Sequence, residues 1–355
     1  MSDQTPNQPG RPEPGHPAHP QPGHPTNNEL YSAFPSNDAG TGPASMEVHA
    51  MLDDEDLRET EEQSSQDTEV TDREKPRSLW QDAWRDLRRN WIFWVSSVVI
   101  LVLVVMAVFP GLFTSVNPLN CNLAYSQQGA TSGHPFGFDT QGCDVYSRVI
   151  HGARDSITVG VFATLGTVVL GAVLGGLAGF YGRWGDALLS RITDIFFGIP
   201  LLLGAIVFLS AVPSRSVWVL VGFMSLFGWP QVARIARGAV ITAKQQDYVT
   251  AARALGAGSR RLMVRHIMPN AVAPIIVVAT IMLGTYISLE ATLSFLGVGL
   301  KPPAVSWGID ISNASGSFRN APHMLFYPAA ALSITVLAFI MLGDAVREAL
   351  DPKLR

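Results

Sequence analysis

Few side chains in this sequence could make or break bonds, and each stands in a setting that limits its chemistry. Glu290 is a carboxylate inside an apolar run, between Leu289 and Ala291, with uncharged residues onward to Leu300. A charge in such a run either lines a hydrated cavity or marks an outer membrane face, and a lone one falls short of the relay that proton coupling needs. His16, His19 and His24 have metal-ligand chemistry, but the prolines among them prevent a fixed ligand geometry, so low complexity is the better reading. The sequence holds no glycine-rich phosphate loop with its lysine, no paired-histidine zinc motif and no serine nucleophile elbow. Neither ATP hydrolysis nor another catalytic activity is therefore expected of this chain, and no metal.

What remains is the chemistry of a surface. Asp247-Tyr248-Val249-Thr250-Ala251-Ala252-Arg253-Ala254-Leu255-Gly256, continued to Asn270, is polar and basic between apolar flanks. Tyr248, Ala252 and Leu255 fall at helical spacing, which predicts a short helix with these on its apolar face and Gln246, Thr250 and Arg253 opposite. Gly256 should end it in the left-handed conformation. Ser259 should then cap a second helix, which Pro269 should stop. Two short helices about a glycine turn also describe a DNA-binding motif. The uncharged flanks, Val217 to Val232 and Ala271 to Leu289, argue against it, so nucleic acid is not an expected partner.

The elements that must position these residues are membrane spans. The chain has 355 residues, 47% hydrophobic and only 15% charged, with net charge -4 and mean hydropathy +0.21, too apolar for a soluble protein of this size. Residues 1–78 are rich in Pro and Gly, then acidic, and should form a disordered tail. With no apolar signal region at the start, Trp91 to Phe109 is expected to act as an uncleaved first span. Five more apolar segments follow: Ile157 to Phe180, Ile195 to Val212, Val217 to Val232, Ala271 to Leu289 and Phe326 to Leu342. The fourth is marginal and is expected to use Gln231 and Ala233 as interfacial residues. The fold class is an all-α membrane protein of six transmembrane helices. Residues 79–110 form the juxtamembrane segment and first span, 111–155 a loop, and 156–355 a core holding the basic loop 244–270.

Charge asymmetry chooses the orientation. With both termini cytoplasmic, fifteen Lys and Arg flank the inner side, against Arg148, Arg154, Arg215, Lys301 and Arg319 outside. The loop 111–155 is then extracytoplasmic, and it contains both cysteines, Cys121 and Cys143. An oxidising compartment favours a disulfide between them over an unpaired pair. Gly171, Gly175 and Gly179 recur every four residues, which reports close helix packing, within the bundle or against a second subunit.

The order Asp247, Ala251-Ala252, Gly256, then His266-Ile267-Met268-Pro269 resembles the EAA loop of ABC-importer permeases. Leu293-Ser294-Phe295-Leu296-Gly297 with Pro302-Pro303 and Ser306-Trp307-Gly308, His134-Pro135-Phe136-Gly137 with Asp144-Val145, and Leu342 to Pro352 resemble the second permease of dipeptide and oligopeptide importers. These motifs cover Trp80 to Arg355. Asp247 replaces the commoner glutamate, Met268 a leucine, and Cys143 the usual arginine. The resemblance implies a type I ABC importer permease bundle in the cell membrane. It also implies a homologous second permease, two ATPase subunits or domains that bind ATP and magnesium, and an extracytoplasmic substrate-binding protein. Asp247, Ala251, Ala252, Arg253, Gly256 and Pro269 would couple to the ATPase. Glutathione or nickel complexes are the alternative cargoes within this family, and a secondary transporter is the alternative from another class.

Overall fold

The structure, a computed structural model, describes residues 79–350, so the expected tail 1–78 and the end of the C-terminal motif lie outside the described residues. Among these, helices account for all the regular structure except two isolated bridges, Thr131 with His134 and Phe138 with Asp144. The helices are α1 (Leu79–Arg89), α2 (Trp91–Val108), α3 (Val145–Tyr181), α4 (Arg183–Gly198), α5 (Leu201–Ala211) and α6 (Val217–Lys244). Then come α7 (Asp247–Ala254), the single turn α8 (Ser259–Arg261), a wide π turn over Leu262–Ile267, α9 (Met268–Phe295), α10 (Trp307–Ser315) and α11 (His323–Leu350).

Five helical stretches are long and apolar enough to cross a membrane, and six if the bent pair α4 and α5 counts as one span. Local chemistry sets their ends. Asn90 caps α2 by accepting from the Ile92 amide at 2.9 Å, and Asp144 caps α3 by accepting from the Ser147 amide at 2.9 Å. That second cap starts α3 at Val145, so the last residues of the expected loop 111–155 are helical. The expected third span, Ile195 to Val212, is not one helix. Ile199 and Pro200 are extended, and α4 meets α5 at 82°. Proline holds the preceding residue out of the helical region, which accounts for the break. The fourth span runs on through Pro230 to Lys244, and Ala233, expected at an interface, is completely buried.

Ala233 is buried because the glycine stripe of α3 faces α6 within the chain. A Cβ on Gly175 would overlap the Ala233 carbonyl oxygen, one on Gly171 would stand 2.6 Å from Val232 Cβ, and one on Gly179 would stand 2.8 Å from the Arg237 carbonyl oxygen. The stripe thus brings two backbones together, and the α3 and α6 pair is the most extensive contact in the fold. α9 packs against both, and the central apolar cluster joins Val159 and Ala163 of α3, Phe223, Met224 and Val232 of α6, and Met282 of α9. α11 closes the bundle against α9 and α2.

Candidate docking loop and the opposite face

The basic loop is built from a buried base and an exposed tip. Val249, Leu262, Ile267 and Ala271 pack with Phe180, Val240 and Ala243, so one end of α3 and α6 is the seat of the loop. Lys244 Nζ closes this seat by donating to the Phe180 carbonyl at 2.6 Å. The face is rotated from the expected one. Val249 is buried with Ala252 beside it, whereas Tyr248 and Leu255 project, Leu255 being 88% exposed. Asp247, Ala251 and Arg253 are exposed as well.

Gly256 has φ +82°, the left-handed value its position demanded. The Ala257 amide donates to the Ala252 carbonyl and the Gly256 amide to the Arg253 carbonyl, each at 3.0 Å. Together these bonds form a Schellman cap that satisfies the last carbonyls of α7. Two other expectations for the loop fail. Gly258, not Ser259, precedes the second helix, and Ser259 makes no capping bond. Pro269 does not end that helix either: the π turn leads directly into α9, with Pro269 in its first turn. The wider turn re-spaces the bonds just before it, with the Met268 amide donating to the Met263 carbonyl, and so makes room for a residue that has no amide to donate. Tyr248 Oη donates to the His266 carbonyl at 3.4 Å, and Asn270 Nδ2 donates to the same oxygen at 2.9 Å. The Tyr248 bond ties the two arms together, and no spacing rule in the sequence announces it.

The opposite end of α3 and α9 holds the remaining candidates. Glu290 is completely buried within this chain. Its carboxylate accepts from Ser156 Oγ of α3 at 3.0 Å and Ser294 Oγ of its own helix at 2.8 Å. Ser156 Oγ in turn accepts from the Trp307 amide at 3.3 Å, and Ser294 Oγ from the Leu300 amide at 3.2 Å. Trp307 Nε1 donates to the Val149 carbonyl at 2.9 Å. Glu290 therefore anchors the segment between α9 and α10. The one turn between Glu290 and Ser294 is legible in the sequence; Ser156, far away in the chain, is not.

Cys121 and Cys143 are joined as a disulfide, and Cys143 is completely buried. Beside them Arg148 donates to Asp310 of α10, with Nε to Oδ1 at 2.8 Å, and stands 3.6 Å from Asp139 of the loop. Burial pushes the Asp310 carboxyl up to about 6, with Arg148 the largest influence in the other direction. The loop is thus closed on itself by a covalent bond just before α3 and held to the bundle by a charged contact through Arg148.

Residues 171–355 match the model of the binding-protein-dependent transport system inner membrane component. Residues 78–129 match the N-terminal transmembrane domain of oligopeptide transport permease C. The chain is 37% identical to the oligopeptide transport system permease protein OppC of Bacillus subtilis over 79% of this chain and 92% of that one. It is 36% identical to the dipeptide transport system permease protein DppC of Alkalihalophilus pseudofirmus, over 78% and 91%. It is 37% identical to the glutathione transport system permease protein GsiD of Escherichia coli O6:K15:H31, over 79% and 92%. A solved structure of the MetNI methionine ABC transporter, inward facing, aligns with a TM-score of 0.47 at 20% identity, over 57% of this chain and 96% of that one. The chain belongs to the family of inner-membrane permease components of binding-protein-dependent transport systems.

Proposed function

We propose that this chain is one of two permease subunits of an ATP-driven peptide importer, with both termini and the loop 244–270 in the cytoplasm. The observation that carries the coupling role is the contrast within the loop. Its base is packed into the ends of α3 and α6, while Leu255, Tyr248, Ala251 and Arg253 are exposed around the Gly256 turn. Apolar side chains on an exposed, arginine-rich loop suit a protein cleft better than water. An ATPase seated there would move α7, and α7 would move the two central spans with it. The chain itself catalyses nothing, and ATP with magnesium is bound by the partner. Family membership removes the need for a secondary-transporter reading.

Peptide cargo follows from the oligopeptide and dipeptide relatives, and the homologous second permease, the paired ATPases and the substrate-binding protein follow from the same relationship. The test is to purify the complete transporter with its binding protein and identify the retained ligand by mass spectrometry. Peptides are expected. Glutathione alone would overturn the cargo while leaving the permease role intact, and a complex without a nucleotide-hydrolysing subunit would overturn the role itself.

A further inference from the structure

The helix before the first span does not continue that span. Trp84 of α1 and Phe93 of α2 meet edge to face with ring centroids 6.3 Å apart, whereas nine residues of straight helix would separate them by roughly 13.5 Å. The chain therefore turns at Asn90, which caps α2 and donates from Nδ2 to Glu348 at 3.2 Å. Trp94 Nε1 holds the turn by donating to the Arg88 carbonyl at 3.1 Å. α1 lies across the end of α2 and packs on α11, with Ala83 buried.

Its two edges differ. Asp86 and Arg89 of α1, Trp91 of α2 and Glu348 of α11 border the cleft beside α11, so that edge is of mixed charge. On the other edge Trp84 is 49% exposed with the Arg88 guanidinium 5.1 Å over its ring, Arg85 is exposed, and Arg89 is exposed at the rim of the cleft. Trp91 and Trp94 are exposed next to them, and below them the exposed Val95, Val98 and Leu101 continue along the span. Indole rings gather at the boundary between hydrocarbon and headgroups, and basic side chains at that depth meet lipid phosphates. Lys75 and Arg77 precede the helix in sequence.

We propose that Arg85, Arg88 and Arg89, with the Trp84 ring beneath Arg88, form a binding site for the headgroups of anionic phospholipids. The indole sets the depth of the helix and its π face holds Arg88 in place, so that the guanidinium groups meet phosphate oxygens in paired geometry. Because α1 rests on α11, an occupied site also fixes the end of α11 against the bundle.

The assembled transporter in nanodiscs of equimolar phosphatidylcholine and phosphatidylglycerol tests this, with retained lipid counted by native mass spectrometry after transfer to detergent. The wild-type chain should retain phosphatidylglycerol preferentially. Each arginine near an anionic surface contributes roughly fivefold, so R85Q/R88Q/R89Q should lose affinity for phosphatidylglycerol by roughly a hundredfold. R85K/R88K/R89K should keep most of it, which separates charge from misfolding, and W84A should weaken it without abolishing it. Equal retention by wild type and R85Q/R88Q/R89Q would overturn the proposal. So would loss of a protein subunit from the glutamine variant with lipid retention unchanged, which would make the arginine edge a contact for an acidic protein surface.

Discussion

Tyr286 Oη of α9 and Thr167 Oγ1 of α3 lie 3.0 Å apart, in the space that Gly228 of α6 leaves open. A Cβ at residue 228 would overlap the Tyr286 hydroxyl and stand 3.1 Å from Thr167 Oγ1. Three spans therefore share one point where a hydrogen bond between two helices depends on a missing side chain in the third. Thr167 is completely buried and Tyr286 nearly so, so neither hydroxyl can turn to water when displaced.

Gly228→Ala should lower the stability of the assembled protein by about 1–3 kcal/mol through overpacking. Tyr286→Phe alone should cost about 1 kcal/mol, the ordinary worth of a hydrogen bond. The two together should cost less than their sum, because phenylalanine removes the atom that the new methyl strikes. Thermal unfolding of the four proteins in one detergent checks this, and strict additivity would refute the shared point.

At Gly256 the restriction is conformational alone, since a Cβ would meet nothing within 4 Å while φ is +82°. Valine strongly resists that conformation, at a cost of about 1–2 kcal/mol, whereas asparagine tolerates it. Gly256→Val should reduce substrate-stimulated ATP hydrolysis with normal insertion and assembly, and Gly256→Asn should retain most of it. Equal stimulation in both would mean that the turn direction is irrelevant to coupling.

The loop also shows where sequence reasoning stops. Its glycine turn was legible because only one residue type suits a left-handed C-terminus. Its buried face was not, because α7 carries apolar residues on two sides: Val249 and Ala252 meet this chain, and Tyr248, Ala251 and Leu255 face outward. Periodicity weighs apolarity and cannot say which side meets the same chain. The spans were legible for a simpler reason, the number of apolar residues that a bilayer requires. Pro200 broke the third of them because a run of apolar residues conceals one missing amide and one restricted neighbour. Gly171, Gly175 and Gly179 announced a close approach, and only the structure identifies Val232, Ala233 and Arg237 as the backbone approached.

Cys121 and Cys143 close a loop with a sequence separation of 22, which in the chain-entropy model is worth about 3 kcal/mol. Cys121→Ser with Cys143→Ser should lower stability by that order, and the loop should still be partly held by Arg148 between Asp139 and Asp310. Adding Arg148→Met should release it, because Asp310 then remains buried without its cation. Limited proteolysis within residues 111–144 provides the measure: cleavage should rise modestly in the cysteine double variant and sharply once Arg148 is also replaced. Equal cleavage of wild type and the triple variant would show that neither contact holds the loop.

Glu290 provides the sharpest division between a pathway residue and an anchor. Its two oxygens accept from Ser156 and Ser294, which in turn receive the Trp307 and Leu300 amides, so both hydroxyls act as relays between one carboxylate and one returning segment. Glu290→Ala should leave those hydroxyls without acceptors at about 1–3 kcal/mol for each, and leave a cavity in their midst. Glu290→Gln retains the shape and one carbonyl oxygen, and its amide can donate to the other serine, so its loss should be clearly smaller. A residue that touched cargo would behave differently, because removing its charge would alter the KM for peptide uptake while leaving unfolding alone. The expected pattern is an unfolding temperature in the order wild type, glutamine, alanine, with KM for peptide the same in wild type and glutamine variant. A glutamine variant of wild-type stability and shifted KM would return Glu290 to the translocation pathway.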